Sequence, residues 1–339
     1  MGIALGIISG SLLKIISRNK DFNQQVTNKV EKKRNINKYF PKRRTLKKSI
    51  LRENIKPTKE IKILSNKWED LASNYSDLET SAYILFEDGR YAGFQENKPL
   101  PAASSIKVSI LFLTLQLMDQ GILNWDDLLE LNKDSIAGGA GWMRYQKIGK
   151  KFPLHEITTE MIRISDNTAT NLLIQKIGGV EVINDRLKEL GLKQTELNNL
   201  LPDLEGTNTT SAKDLAYILQ LADNGKILSL RSRDIFREVM STSVTNKLIP
   251  DGLLKGLGIS HGNSDYKLLI EGFRVYNKTG DIGITYADTA LLEMPDASRA
   301  TVGFIVKGPF NDQRSTNLIR NMSASIIPHI NPSEAPINQ

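Results

Sequence analysis

Residues 104–121 read SSIKVSILFLTLQLMDQG. From Ile106 to Met118 the segment is apolar almost all round, so a helix built from it must be buried on most of its faces. Lys107 breaks that pattern. Taking an ammonium out of water is costly, and such an environment lowers its pKa until the free amine can act as a base. Three positions along a helix place Ser104 and Lys107 on one face. A hydroxyl at a helix N-terminus beside a desolvated amine is an activated nucleophile that needs no histidine. The same spacing occurs at Ser11/Lys14, Ser17/Lys20 and Ser264/Lys267, and taken alone the motif is better explained by an N-cap serine with a snorkelling lysine. The motif decides nothing by itself.

Outward from this helix, two β-rich runs flank Asp88-Gly89 in SAYILFEDGRYAGFQ (residues 81–95), a strong hairpin signal. A helix over Asn66–Tyr75 precedes them. From Ser104 to His261 the apolar spacing is helical, with Gly and Pro marking the turns. Strand-like runs return in LLIEGFRVYNKTG, GITYADTALLEM and RATVGFIVKG, and an amphipathic helix over Asp312–Ile327 closes the body. Two strands, many helices, three strands and a helix predict an α+β fold. Its five-stranded antiparallel sheet is assembled from both chain ends, flanked by the terminal helices, with an all-helical lobe inserted. The sheet lobe is expected at 61–103 and 262–330, the helical lobe at 104–261, and the whole domain over 61–339.

Two further motifs each occur once. Ser165-Asp166-Asn167 lies in EMIRISDNTATNLLI, and Lys278-Thr279-Gly280 ends a strand in FRVYNKTGDIG. Alone, the first reads as a helix cap and the second as a strand entering a turn. Together with Ser104/Lys107 they give the order S-x-x-K, S-D-N, K-T-G. On these residues, and on the Thr-Ala-Thr-Asn-Leu-Leu run that follows the second motif, the body resembles the penicillin-recognising serine hydrolase superfamily. It looks closest to the class A β-lactamase-like branch, near the penicillin-binding proteins and D-Ala-D-Ala peptidases. The resemblance spans about residues 65–330.

The resemblance implies a β-lactamase/transpeptidase-like fold and an acyl-enzyme formed on Ser104 with β-lactams or D-Ala-D-Ala-like amides, with no cofactor. It implies that Lys107 and Ser165 move protons and that Asn167 binds the substrate amide. Lys278, Thr279 and Gly280 would receive the substrate carboxylate, and the backbone N–H groups of Ser104 and Asp281 would form the oxyanion hole. Two departures stand out. Family members commonly carry a small or hydroxylated residue at the Asp281 position, and a carboxylate there could pair with Lys278 and weaken recognition of an acidic substrate. Class A enzymes also activate the hydrolytic water with a glutamate in an Ω-shaped loop. In GLKQTELNNLLPDLEGTNTTSAKDLA (residues 191–216), one register puts Gln194 at that position and another puts Leu201 there. Both lose the base, and slow deacylation follows as an expectation; Glu196, Asp203 and Glu205 are the candidate substitutes. Gly138-Gly139-Ala140-Gly141-Trp142 lacks a Walker lysine. It reads either as a mobile loop over the cleft, with Trp142 or Tyr145 on the wall, or as a structural turn with Trp142 packed.

Composition limits the chemistry further. The 339 residues contain no cysteine and three scattered histidines, His155, His261 and His329. That excludes thiolate catalysis and disulfides, and leaves no clustered histidine set for zinc. The net charge of +7 is unevenly spread: residues 1–60 hold 16 Lys+Arg against 4 Asp+Glu, and the remainder holds 29 against 34. Residues 1–17 form a short hydrophobic segment, read as a possible anchor or degenerate signal, and residues 18–60 a basic linker. The linker reads first as a solvated, disordered segment; as a binding element it suits an anionic membrane surface better than nucleic acid. The body is expected outside the cytoplasm, periplasmic or membrane-anchored, although the basic run after the apolar one argues against simple export. A non-catalytic binding protein of the same fold, and a protein whose function lies in the basic tail, are the alternative readings.

Overall fold

A computed structural model describes residues 55–245, 247–259 and 264–330. The expectations for residues 1–17, most of the basic linker and His261 lie outside them.

The Asp88-Gly89 hairpin forms as the sequence predicts. Strands β2 (Glu79–Phe86) and β3 (Arg90–Phe94) pair antiparallel, with Ala82 opposite Phe94 and Leu85 opposite Tyr91. The turn needs Gly89 at φ +87°, and Asp88 Oδ1 accepts the Arg90 N–H at 2.9 Å. At the other chain end, β4 (Arg274–Asp281), β5 (Thr285–Glu293) and β6 (Arg299–Lys307) form an antiparallel meander. β6 then pairs with β2, Phe304 opposite Ala82, and so closes one sheet from the two chain ends. With a short first strand, β1 (Lys59–Glu60), its order is β1-β3-β2-β6-β5-β4. The sheet has one strand more than expected. β1 lies parallel to β3, so the body begins before Ile61. The main chain explains the difference: Thr58 N donates to Gly89 O at 2.8 Å, and Gln220 Nε2 donates to Ile55 O at 2.9 Å. Backbone pairing of two polar residues leaves no apolar pattern to read.

Helices cover both faces of the sheet, which is why β2 is buried along almost its whole length. On the outer face, Ile84, Phe86, Val302 and Phe304 pack against three helices. These are α1 (Lys62–Ser73), α8 (Ile249–Gly256) and α10 (Gln313–Ala324, capped by Asp312). Trp68 of α1 is fully buried, meets Phe304 edge to face at 5.3 Å, and donates to Met322 O at 3.1 Å. Gly252 lets α8 cross close to α10, since a Cβ there would fall 2.6 Å from Arg320 O. By this packing α8 belongs to the sheet lobe, although the sequence boundary at residue 261 assigns it to the helical one. Helical periodicity reports that a segment is a helix and not which layer it joins.

The inner face carries Tyr83 and Leu85 against Ala212 and Ala216 of α6 (Ala212–Asp223). Ser211 caps that helix by accepting from Asp214 N, which accounts for the Thr/Ser-rich run before it. The helical lobe is built around α2 (Lys107–Asp119), buried at every residue from Lys107 to Leu117. Around it lie α3 (Leu154–Arg163), α4 (Asn167–Ile177), α5 (Val180–Leu190) and α7 (Leu230–Ser241); α9 (Ser264–Ile270) precedes β4. Among the described residues no helix is long and apolar enough to cross a membrane. Because Trp68 ties α1 to both the sheet and α10, Trp68→Ala should cost about 3–5 kcal/mol. Urea unfolding of the purified domain measures it.

Candidate active site

The start of α2, the start of α4 and the end of β4 converge on one place. Ser104 sits in a 3₁₀ turn, Ala103–Ile106, that runs directly into α2 at Lys107. Ala103 adopts φ +46° to aim that turn, and Ser165 adopts φ +62° just before α4. A left-handed conformation at a non-glycine residue costs roughly 1–3 kcal/mol and persists where surrounding contacts over-determine it. Lys107 is fully buried, and its Nζ lies 2.6 Å from Ser165 O, 2.9 Å from Ser165 Oγ and 2.8 Å from Asn167 Oδ1. Burial, reinforced by the Lys278 charge and opposed by Asp166, holds its pKa well below the usual lysine value. The three partners suit both protonation states. An ammonium donates to all three; a neutral amine donates to Ser165 O and Asn167 Oδ1 and accepts the Ser165 hydroxyl proton. The amine can therefore take up a proton and pass it on without losing its position.

Asp166 and Asn167 lock the glycine-rich segment to this centre. Asp166 caps α4 through Ala169 N at 3.0 Å, while its Oδ2 accepts from Trp142 N and Met143 N at 2.8 and 2.9 Å. Asn167 Nδ2 donates to Gly138 O at 2.9 Å, the same side chain whose oxygen holds Lys107. At Gly141, φ +103°, any Cβ would fall 2.2 Å from Asp166 Oδ2. Of the two sequence readings, the structural turn is the one realised. Trp142 Nε1 donates to Glu160 Oε2 at 2.7 Å and its ring meets Phe152 edge to face, whereas Tyr145 is exposed.

β4 delivers the third motif. A Cβ at Gly280 would fall 2.8 Å from Ser104 N, so the glycine lets the strand edge lie directly against the serine turn. Lys278 is fully buried and its Nζ donates to Thr279 O at 2.7 Å. Burial pushes its pKa down to about 8, against the opposing attraction of the Asp288 carboxylate. Among the described residues no group of three or more His, Cys, Asp or Glu side chains is gathered to hold a metal ion. His155 pairs with Asp126 at 3.7 Å and His329 bonds Arg90 through its carbonyl, both outside this centre.

A sequence profile of the beta-lactamase enzyme family matches residues 62–330. The chain belongs to that family. It is 27% identical over 240 residues to beta-lactamase BRO-1 of Moraxella catarrhalis, a match covering 66% of this chain and 70% of that protein. Beta-lactamase CARB-3 of Pseudomonas aeruginosa is 26% identical over 181 residues, covering 51% of this chain and 62% of that one. Among solved structures, PBP-A superposes with a TM-score of 0.73 at 36% identity, over 80% of this chain and 96% of that one. A leucine-to-glutamate variant of PBP-A has been solved as an acyl-enzyme complex with penicillin G. This beta-lactamase-family domain is a class A-like serine hydrolase.

Two expectations about the departures resolve in the geometry. Asp281 does not pair with Lys278. Its side chain is exposed and its Oδ1 accepts from Gly283 N at 2.8 Å in the next turn, whereas Lys278 is fully buried. In the loop corresponding to the Ω-loop, the segment fastened to α4 is the one around Leu201. Leu201 N and O bond the Asn171 side chain on α4 at 2.9 and 2.8 Å. A Cβ at Gly139 would meet both Asn167 Nδ2 and Pro202. Gln194 instead donates its N–H to Asp214 on α6. Glu196 and Glu205 are exposed, and Asp203 accepts from Thr207 N, Thr207 Oγ1 and Asn208 N at 3.1, 2.8 and 2.7 Å. Thr245, Asn277 and Asp288 bond to one another and to Thr279 beside this centre, and no motif in the sequence marks them.

The two lysines predict opposite limbs of a pH profile. Below its lowered pKa, Lys107 is protonated and cannot accept a proton, so acylation by a β-lactam should fall on the acid side. Above about pH 8, Lys278 loses its charge and binding of a carboxylate-bearing substrate should weaken. Stopped-flow acylation constants for penicillin G should show both limbs, and those for its uncharged methyl ester only the acid one.

Proposed function

We propose that this domain is a penicillin-binding serine hydrolase that acylates readily on Ser104 and deacylates slowly. In this reading Lys107 and Ser165 handle the protons of acylation, and Asn167 orients the substrate amide. Lys278 and Thr279 bind the carboxylate beside Gly280, and the N–H groups of Ser104 and Asp281 stabilise the tetrahedral oxyanion. The observation that carries it is the loop chemistry. Leu201, an apolar side chain, occupies the segment fastened to α4, and the nearby carboxylate of Asp203 is already consumed by three loop donors. Acylation needs no group from this loop, whereas hydrolysis of the ester needs a base on the water, typically a factor of about 10²–10⁴. The likeness to PBP-A, trapped with penicillin G in a leucine-to-glutamate form, supports a β-lactam as ligand. A D-Ala-D-Ala stem peptide is the natural amide of the same shape. Such a substrate is met outside the cytoplasm, where this reading puts the domain, and the basic composition of the sequence before it suits anionic lipid.

Mass spectrometry after incubation with penicillin G should find a long-lived adduct on Ser104, absent from Ser104→Ala. Leu201→Glu should accelerate loss of that adduct by about 10²-fold or more, by restoring a carboxylate to the loop. Rapid turnover of a chromogenic cephalosporin by the unaltered protein, with no trapped adduct, would replace this reading with that of an efficient β-lactamase.

A further inference from the structure

The inner half of β4 is held by a network that none of the three motifs contains. Asp288, opposite Thr279 in the β4–β5 register, is fully buried. Its Oδ2 accepts from Ile249 N, the first residue of α8, at 2.9 Å. Asn277 Nδ2 lies 3.1 and 3.3 Å from the two Asp288 oxygens and 3.2 Å from Thr245 O. One buried carboxylate thus fastens both the segment before α8 and the strand carrying Lys278 and Thr279. The product of that fastening is a short row of hydroxyls. Thr279 Oγ1 donates to Thr245 Oγ1 at 2.6 Å, and Thr245 Oγ1 lies 3.2 Å from Ser243 Oγ. Thr245 is half-buried, and Lys278 lies next to Thr279 on the strand.

Proton counting gives this row a purpose. Three hydroxyls carry three protons and the two links between them use two, so one proton remains for an external acceptor. With Thr279 donating into Thr245, the spare proton lies on whichever of Thr245 and Ser243 does not donate across the 3.2 Å link between them. An anion at Lys278 and Thr279 draws the Thr279 proton to itself, and Thr245 then donates to the Thr279 oxygen it had been accepting from. Without a hydroxyl at Thr245 that reorganisation has no partner, and Thr279 loses both its resting acceptor and its supporting donor.

We propose that Thr245 is a specificity-determining residue of this site, completing with Lys278 and Thr279 the pocket for the substrate's carboxylate, and that Asp288 is the positioning residue that holds it there. The ligand class is an amide or lactam with a carboxylate at the leaving-group end. The proposal rests on the functional reading above, and its test separates the two. Binding of penicillin G and of its methyl ester is measured by titration calorimetry in a Ser104→Ala background, where no acylation can occur. The parent should prefer the acid over the ester. Thr245→Val should weaken the acid by about fivefold, the worth of the one neutral hydrogen bond through which Thr245 supports Thr279, and leave the ester unchanged. Thr245→Ser should restore the preference, and Asp288→Asn should reduce it as Thr245→Val does. Circular dichroism of each variant confirms folding. An unchanged preference in Thr245→Val, an equal loss for acid and ester, or no preference in the parent overturns the proposal. An intact binding preference in a protein whose Ser104 form makes no adduct would overturn the acylation reading and leave this one standing.

Discussion

One buried ammonium organises the centre. Lys107 sits at the head of a helix whose apolar surroundings give it no solvent, so its nitrogen must find all its partners inside the protein. It finds them on Ser165 and Asn167, 58 and 60 residues further along the chain. Removing either partner would leave a desolvated amine short of acceptors, which is costlier than the bond itself. The start of α2 and the start of α4 are therefore fixed relative to each other by the group that would have to move the proton. Stability and chemistry depend here on the same contacts.

The rest of the centre is built by close approach. Gly280 brings the β4 edge against the backbone N–H groups of Ser104 and Ser105, and Gly141 brings a loop against Asp166. Each is a place where a methyl group would displace backbone or a buried carboxylate. Asp166, Asp203 and Asp288 show how this protein uses its buried acids. All three accept mainly from backbone or amide N–H groups and set the position of a segment: the glycine-rich turn, the Leu201 loop and the start of α8. Burial raises the pKa of Asp288 to about 7 even so, with the Lys278 charge and its hydrogen bonds working the other way. A buried lysine and a buried aspartate on neighbouring strands each make the other's charge less costly.

The motifs were legible because chemistry constrains them to a few residue types at fixed local spacing. Ser104 with Lys107, Ser165 with Asn167, and Lys278 with Thr279 each lie within one turn or one strand step, a distance over which sequence and geometry are nearly the same thing. The hairpin at Gly89 and the burial of α2 were legible for the same reason. Thr245 and Asp288 were not. A threonine and an aspartate in unremarkable segments acquire meaning only when β5 is laid beside β4 and the chain before α8 is folded across it. Strand β1 was missed because its pairing is made by main-chain groups that no side-chain pattern reports.

The sequence by itself therefore determined the family resemblance, the α+β order of elements, the absence of thiol and clustered-histidine chemistry, and the three local motifs. Only the tertiary structure decided which part of the Leu201 loop is fastened to α4, because that depends on Asn171 grasping both backbone groups of one particular residue. Only the tertiary structure freed Lys278 from Asp281, because a turn two residues on claimed the carboxylate first. Spacing along the chain predicts neighbours on one element. Competition among buried donors and acceptors, settled once all the elements are packed, decides which of those neighbours are left available to a substrate.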